Sequence, residues 1–101
     1  MTANAYTRAQ IAMADAMLGE RAPSTHAQVA AAAAVVDGLP AGEDRARLEV
    51  RVFTVALEAL DTQGNGQAPP GVLGHAFSDP DLRFGLEAAY RKLARYADTP
   101  L

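Results

Sequence analysis

Apolar residues recur at steps of three and four in four segments of the chain, which is the spacing of amphipathic helices. The pattern predicts helices over about Asn4–Leu18, from Thr25 to a stop at Gly38, over Glu43–Asp61, and from Asp79 to a tail that starts at Asp98. These segments account for most of the chain, so the pattern predicts an all-α protein.

The second and fourth predicted helices begin with recognisable N-terminal signals. Thr25 and Gln28 have the spacing of a capping box, in which each side chain accepts a hydrogen bond from a free amide of the first turn. Asp79 is predicted to cap the fourth helix, with Pro80 at its first helical position. These signals fix where two of the four helices start.

The third predicted helix is apolar on most of its circumference. Its polar residues form one narrow stripe at helical spacing: Arg47, Arg51, Thr54, Glu58 and Asp61. A helix that is apolar on most sides is typically central in its bundle. Arg47–Val52 also alternates polar and apolar residues, which is the pattern of a strand. We favour the helix because the polar stripe continues at helical spacing to Asp61.

A stretch rich in glycine and proline separates the third and fourth helices, from Thr62 to Phe77. Within it, Val72–Phe77 is predicted to form one helical turn. The predicted fold is therefore a compact four-helix bundle with a long loop between helices 3 and 4, and residues 1–101 are predicted to form a single helical domain.

Small side chains dominate the predicted core. Hydrophobic residues make up 50% of the chain and aromatic residues only 6%, with five consecutive alanines from Ala30 to Ala34. Alanine favours helices but buries little area, so we expect closely packed helices around a thin core. Such a core leaves apolar surface uncovered, which indicates a partner.

Charge and composition argue against several classes of function. The net charge of −3 disfavours nucleic-acid binding, which usually needs a basic surface. The chain has no cysteine, which removes disulfides and thiolate chemistry. It has no apolar run of membrane-spanning length and no signal-peptide pattern at its start, so we expect a cytoplasmic protein without membrane contact. The abundance of alanine and arginine indicates a GC-rich, bacterial genome.

The segment from Phe53 to Val72 resembles an EF-hand calcium loop. Asp61 would be the first ligand, Asn65 the third, and Gly66 the bend. The twelfth position requires a bidentate glutamate and is occupied by Val72, so the sequence predicts no calcium site. We expect a helix end followed by a glycine-rich turn.

A second resemblance covers Thr25–Gly38, which is similar to the start of a helix-turn-helix in bacterial repressors. The matching residues are Val29, Ala30, Ala33 and Val35. A recognition helix should follow, but Pro40 and Gly42 interrupt that segment. A DNA-associated transcriptional regulator with a degenerate helix-turn-helix is therefore kept as an alternative function.

Chemically active side chains are few. His26 and His75 are the two histidines, and neither has a carboxylate or second histidine at metal-ligand spacing. A small enzyme or ligand-binding bundle that uses His75 is a further alternative. We expect no metal, no cofactor and no catalytic residue.

The end of the fourth helix carries a basic cluster, formed by Arg91, Lys92 and Arg95. Such charges complement the helix dipole, or they form a docking face with neighbouring tyrosines. We therefore predict a non-catalytic protein–protein interaction or adaptor module that binds a protein partner or forms a homodimer. The predicted partner-binding residues are Tyr90, Arg91, Arg95, Tyr96 and, on the valine-rich third helix, Val52.

Overall fold

Four helices and one short hairpin follow each other along the chain. A computed structural model describes residues 5–19, 25–63 and 71–97. The elements are helix α1 (Ala5–Leu18), helix α2 (His26–Asp37), helix α3 (Glu43–Gln63), strand β1 (Gly71–Val72), strand β2 (His75–Ala76) and helix α4 (Asp79–Ala97). The predicted all-α, four-helix fold is confirmed.

Helix α3 is the central element, as its apolar circumference predicts. It packs against α1, α2 and α4, while α1 also packs against α2. The chain thus forms two successive helical hairpins, α1–α2 and α3–α4. The first hairpin packs against the second through α3. Arg47–Val52 lies inside α3, so the helical interpretation of this segment is confirmed and the strand alternative is wrong.

The core is built mainly from alanine, valine and leucine, in agreement with the composition. Its largest fully buried side chains are Leu48, Leu82, Val29, Val36, Val52 and Val72. Helix α2 contributes Ala32 and Ala33 alongside two of these valines, so its small-residue face lies against its neighbours. Small side chains allow helix axes to approach closely.

The predicted capping box at the start of α2 is present. The Thr25 hydroxyl accepts a hydrogen bond from the Gln28 amide at 3.1 Å, and the Gln28 side-chain oxygen accepts one from the Thr25 amide at 2.8 Å. Two amides that the helix itself cannot pair are thereby satisfied.

Thr25→Ala is expected to lower the free energy of unfolding by about 1 kcal/mol, because it removes one of these capping bonds. Urea denaturation monitored by circular dichroism would measure the loss. Thr54→Ala is the matched control: Thr54 is exposed within α3, and its hydroxyl donates only to the Val50 carbonyl. An equal loss of stability in the two variants would contradict the capping role.

The segment Val72–Phe77 is not helical, and that prediction is wrong. Gly71 pairs with Ala76 and Val72 with His75 in a two-stranded antiparallel ladder. The turn residues Leu73 and Gly74 have positive φ angles of 50° and 85°, as type I′ hairpin turns require. Residues 64–70 of the predicted long loop lie outside the described residues.

Helix α4 starts one residue earlier than predicted. Asp79 is already helical, and the preceding Ser78 occupies the cap position, where its carbonyl accepts from the Leu82 amide at 2.9 Å. The Ser78 hydroxyl also donates to Asp81 at 3.2 Å. The sequence does not distinguish Ser78 from Asp79 as the capping residue, because both residue types cap helices and helix ends are defined only to within one or two residues.

An ion cluster joins α1 to α3. The Asp15 carboxylate accepts hydrogen bonds from Arg51 and, at 3.2 Å, from Arg47. The hydrogen bond with Asp15 raises the pKa of Arg47 above its ordinary value, and Asp44 adds to the effect. The predicted polar stripe of α3 is therefore divided: its arginines bind α1, whereas Thr54, Glu58 and Asp61 are exposed.

Candidate functional site

A cleft lies between the N-terminal part of α3 and the C-terminal part of α4. Its volume is about 610 Å³, which is within the range of roughly 300–1,000 Å³ typical of ligand-binding pockets. The lining residues are Ala41, Gly42, Arg45, Ala46, Glu49, Lys92, Arg95 and Tyr96. We refer to this site as the α3–α4 cleft. Its charged lining residues are three cations, Arg45, Lys92 and Arg95, and the carboxylate of Glu49.

Glu49 is the buried charged group of the α3–α4 cleft. It is only 5% exposed, yet it lies on the otherwise apolar inner side of α3. Its carboxylate accepts a hydrogen bond from Arg45 Nε at 3.0 Å and another from Lys92 Nζ at 3.2 Å. One buried anion therefore holds two cations, one from each wall of the cleft.

Arg45 also binds the end of α2. Its Nη1 group donates to the Leu39 carbonyl at 2.7 Å and to the Asp37 carbonyl at 3.3 Å, and its Nη2 lies 3.6 Å from the Asp37 carboxylate. A cation is favourable at this position because the C-terminal end of a helix carries partial negative charge. The wall of the α3–α4 cleft is thereby attached to the first helical hairpin.

The structure divides the predicted partner-binding residues into two groups on α4. Arg95 and Tyr96 line the α3–α4 cleft. Tyr90 and Arg91 do not line it: Tyr90 is an exposed aromatic residue, and Arg91 donates to Glu87 at 2.6 Å on the exposed surface. Two of the four predicted residues on α4 thus lie outside the α3–α4 cleft.

Val52 lies elsewhere. It has no exposed surface and belongs to the core cluster. As long as the chain is folded as described, a partner cannot reach this side chain. The predicted interaction surface therefore depends on the four residues of α4.

His75 lies between α3 and α4 and lines a small pocket of about 40 Å³ that Glu49 and Lys92 also line. Its ring packs edge-on against Phe53 at 5.3 Å and lies 6.0 Å from the ring of Phe84. His26 is buried and packs edge-on against Phe77 at 5.1 Å. Residues 5–19, 25–63 and 71–97 contain no group of three or more His, Asp or Glu side chains that could hold a metal ion.

Both motif resemblances include helical segments of the described structure. Asp61 lies inside α3, which continues to Gln63, whereas an EF-hand would need it to open a loop. Asn65 and Gly66 lie outside the described residues. Within the helix-turn-helix resemblance, Val29 and Ala33 are buried, and the following helix, α3, begins with the acidic Glu43 and Asp44. The calcium and DNA predictions otherwise stay untested.

Sequence reasoning missed the central role of Glu49. The spacing of Arg45 and Glu49 is the i,i+4 spacing of a helical ion pair and was available as a signal. The contact from Lys92 bridges 43 positions, and no local pattern indicates it.

In the described part of the chain, no helix is long and apolar enough to cross a membrane.

Comparison with known proteins places the chain in a defined family. Residues 1–101 match the model of the protein kinase G tetratricopeptide repeat. The chain is 35% identical to the serine/threonine-protein kinase PknG of Mycobacterium leprae and 34% identical to PknG of Mycolicibacterium smegmatis, over 97% of its length in each case. It spans about 13% of the length of these curated relatives. No solved structure matches the chain.

Proposed function

Because the chain belongs to the protein kinase G tetratricopeptide repeat family, we propose that it acts as a non-catalytic adaptor that binds a protein partner at the C-terminal part of α4. Tetratricopeptide units are helical hairpins that stack side by side and form extended binding surfaces. The two consecutive hairpins, α1–α2 and α3–α4, agree with this kind of module.

The α3–α4 cleft is the observation that carries the proposal. It is a concave site of about 610 Å³, and its wall includes arginine and tyrosine, which are enriched among the residues that dominate binding energy. Cations on both walls are held in place by a buried carboxylate before any partner arrives. A preorganised site loses less conformational entropy on binding.

Self-association is the second candidate. Tyr6 and Met13 are exposed on α1, together with Ala5, Ala9, Ala12 and Ala16. Much of the outer surface of α1 is therefore apolar, and apolar surface of this kind favours contact with another chain. A homodimer would cover it without using the α3–α4 cleft. Sedimentation of the purified chain over a range of concentrations would separate a monomer from a dimer.

The binding proposal is tested by capture from native cell extract, with and without nuclease treatment, followed by mass spectrometry. We expect the unmodified chain to retain a stoichiometric protein after nuclease treatment, and we expect the double variant Arg95→Ala/Tyr96→Ala to lose it. Arg83→Ala is the matched control, since Arg83 is also on α4 but pairs with Asp79 outside the cleft.

Equal retention by the double variant and the unmodified chain would contradict a partner site at this end of α4. Loss of all captured protein on nuclease treatment would favour the DNA-associated alternative. The alternative that uses His75 predicts a bound small molecule or turnover that disappears in His75→Ala while the circular dichroism spectrum is unchanged.

A further inference from the structure

We propose that the small pocket beside His75 binds one ordered water molecule, which joins the imidazole of His75 to the Glu49–Lys92 ion pair. His75 is then a positioning residue for Lys92, although it lies in β2 and does not line the α3–α4 cleft. Its effect on partner binding rests on the proposed function, in which the α3–α4 cleft is the partner site.

The pocket beside His75 has the size of a single water site. Its volume is about 40 Å³, and one water molecule occupies about 30 Å³ in the liquid. Pockets that bind drug-sized ligands begin at about 300 Å³, so the pocket excludes organic ligands of that size.

Three polar side chains from three different elements meet at this pocket: Glu49 of α3, His75 of β2 and Lys92 of α4. The other lining residues are apolar or glycine. A buried water typically makes about three hydrogen bonds to protein groups, whereas a purely apolar cavity stays dry. The lining therefore has the number of polar groups that one water requires.

Each of the three side chains has hydrogen-bonding capacity left for a water. The Lys92 ammonium has three N–H donors, and its contact with Glu49 at 3.2 Å uses one of them. The Glu49 carboxylate has about four acceptor sites, and Arg45 and Lys92 occupy one each. A neutral imidazole has one acceptor nitrogen. The water can therefore accept from Lys92 and donate to both Glu49 and His75.

The packing around His75 holds its ring at the edge of the pocket. The ring of Phe53 fixes it from one side, with the two centroids 5.3 Å apart. Gly85 lines the pocket from α4, and a Cβ atom added there would lie 3.1 Å from Cδ2 of His75. Because Nε2 is bonded to Cδ2, it is the ring nitrogen on the edge nearest α4. We therefore assign Nε2 as the acceptor of the bridging water.

The Glu49–Lys92 ion pair separates this pocket from the α3–α4 cleft, because both residues line both spaces. The Lys92 side chain is 56% exposed and flexible, and one hydrogen bond leaves its ammonium several arrangements. A second bond through the water holds the ammonium from the side of the pocket. Restricting Lys92 before a partner arrives lowers the entropy cost of binding in the cleft.

A high-resolution crystal structure of the purified chain tests the water site directly. We expect one ordered water within about 3.2 Å of Lys92 Nζ, of a Glu49 carboxylate oxygen and of a ring nitrogen of His75. A pocket filled by a side chain, or a pocket without an ordered water in contact with His75, would overturn the proposal.

The positioning role is tested by nuclear magnetic resonance on Lys92, which is the only lysine of the chain and can be labelled selectively. The two Hε protons of a lysine give separate signals when its ammonium is held in one arrangement, and they average when the side chain rotates freely. We expect two signals in the unmodified chain and one in Glu49→Gln. His75→Phe keeps a ring but removes its nitrogens, and should narrow the separation. His75→Gln should keep it, because its amide can replace the ring nitrogen as a hydrogen-bond partner.

His26→Phe is the matched control, because His26 packs against Phe77 and lines neither the pocket nor the α3–α4 cleft. It should leave the Lys92 signals unchanged. Equal separation in His75→Phe and the unmodified chain would show that His75 does not position Lys92. Separation that is lost in His75→Gln but kept in His75→Phe would show that only the packing of the ring matters. If His75→Phe does not fold, the crystal structure of the unmodified chain decides by itself.

The water site and the proposed function can fail separately. If Lys92 responds to His75→Phe but the double variant Arg95→Ala/Tyr96→Ala retains the captured protein, the water site stands and the α3–α4 cleft is not the partner site. If capture depends on Arg95 and Tyr96 while the pocket holds no water and Lys92 does not respond, the adaptor function stands and the role of His75 is wrong.

Discussion

Val52→Glu is expected to unfold the chain at room temperature. Val52 is 0% exposed and lies in the core cluster that α3 shares with its neighbours. Placing a carboxylate there without a partner costs several kcal/mol, and a whole domain of this size is stable by only about 5–15 kcal/mol. Far-UV circular dichroism and a thermal melt would show the loss of helix.

Thr54→Glu is the matched control for this substitution. It introduces the same charge two residues further along α3, at an exposed position, and is expected to leave the chain folded. A Val52→Glu variant that stays folded and loses a partner would instead return Val52 to the interaction surface. A folded variant with unaltered association would contradict both the core position and the interface hypothesis.

The helices could be predicted because their signals are local. Apolar residues at steps of three and four define a buried stripe, and Thr25 with Gln28 forms a cap within a single turn. The central position of α3 also follows from its own composition, since a helix that is apolar on most sides needs neighbours on most sides. Partners distant in sequence were not needed for these inferences.

The hairpin between α3 and α4 could not be predicted because it depends on an unusual backbone. Leu73 adopts a positive φ angle, which leucine rarely does, and the sequence signal for this turn is a single glycine, Gly74. Val72 and Phe77 bury their side chains on either side of the turn. The burial of these two side chains contributes free energy that offsets the backbone strain at Leu73.

The candidate site was predictable only in part. Arg95 and Tyr96 were recognised because basic and aromatic residues at a helix end have known uses. The cleft forms where α3 packs against α4. Its lining residues Glu49 and Arg45 come from α3, and no pattern within α4 indicates them. Val52 was predicted to bind a partner by the same logic, and the structure buries it. A valine on an apolar helix looks identical in sequence whether it faces a partner or the core.

Gly85→Ala is expected to lower the free energy of unfolding by up to about 2 kcal/mol. Alanine normally stabilises the interior of a helix relative to glycine by about 1 kcal/mol. At this position the added Cβ would lie 2.6 Å from the ring atoms Cε1 and Cζ of Phe53 and 3.1 Å from Cδ2 of His75. Phe53 is 3% exposed and cannot swing into solvent, so overpacking of about 1–3 kcal/mol exceeds the helix gain.

The same substitution tests whether the close approach of α4 to Phe53 also determines the geometry of the α3–α4 cleft. Gly85 lets α4 lie directly on the Phe53 ring, and one helical turn before Phe53 the carboxylate of Glu49 meets Lys92 of α4 at 3.2 Å. Separating the helices at Gly85 should therefore weaken that ion pair along with stability. Phe53→Leu removes the ring, so combining it with Gly85→Ala should recover at least 0.5 kcal/mol relative to the sum of the single changes, the usual coupling of residues in contact. If urea denaturation shows that the Gly85→Ala chain is more stable than the unmodified one, helix propensity outweighs packing at this position. The contact between α3 and α4 would then accommodate the added Cβ atom.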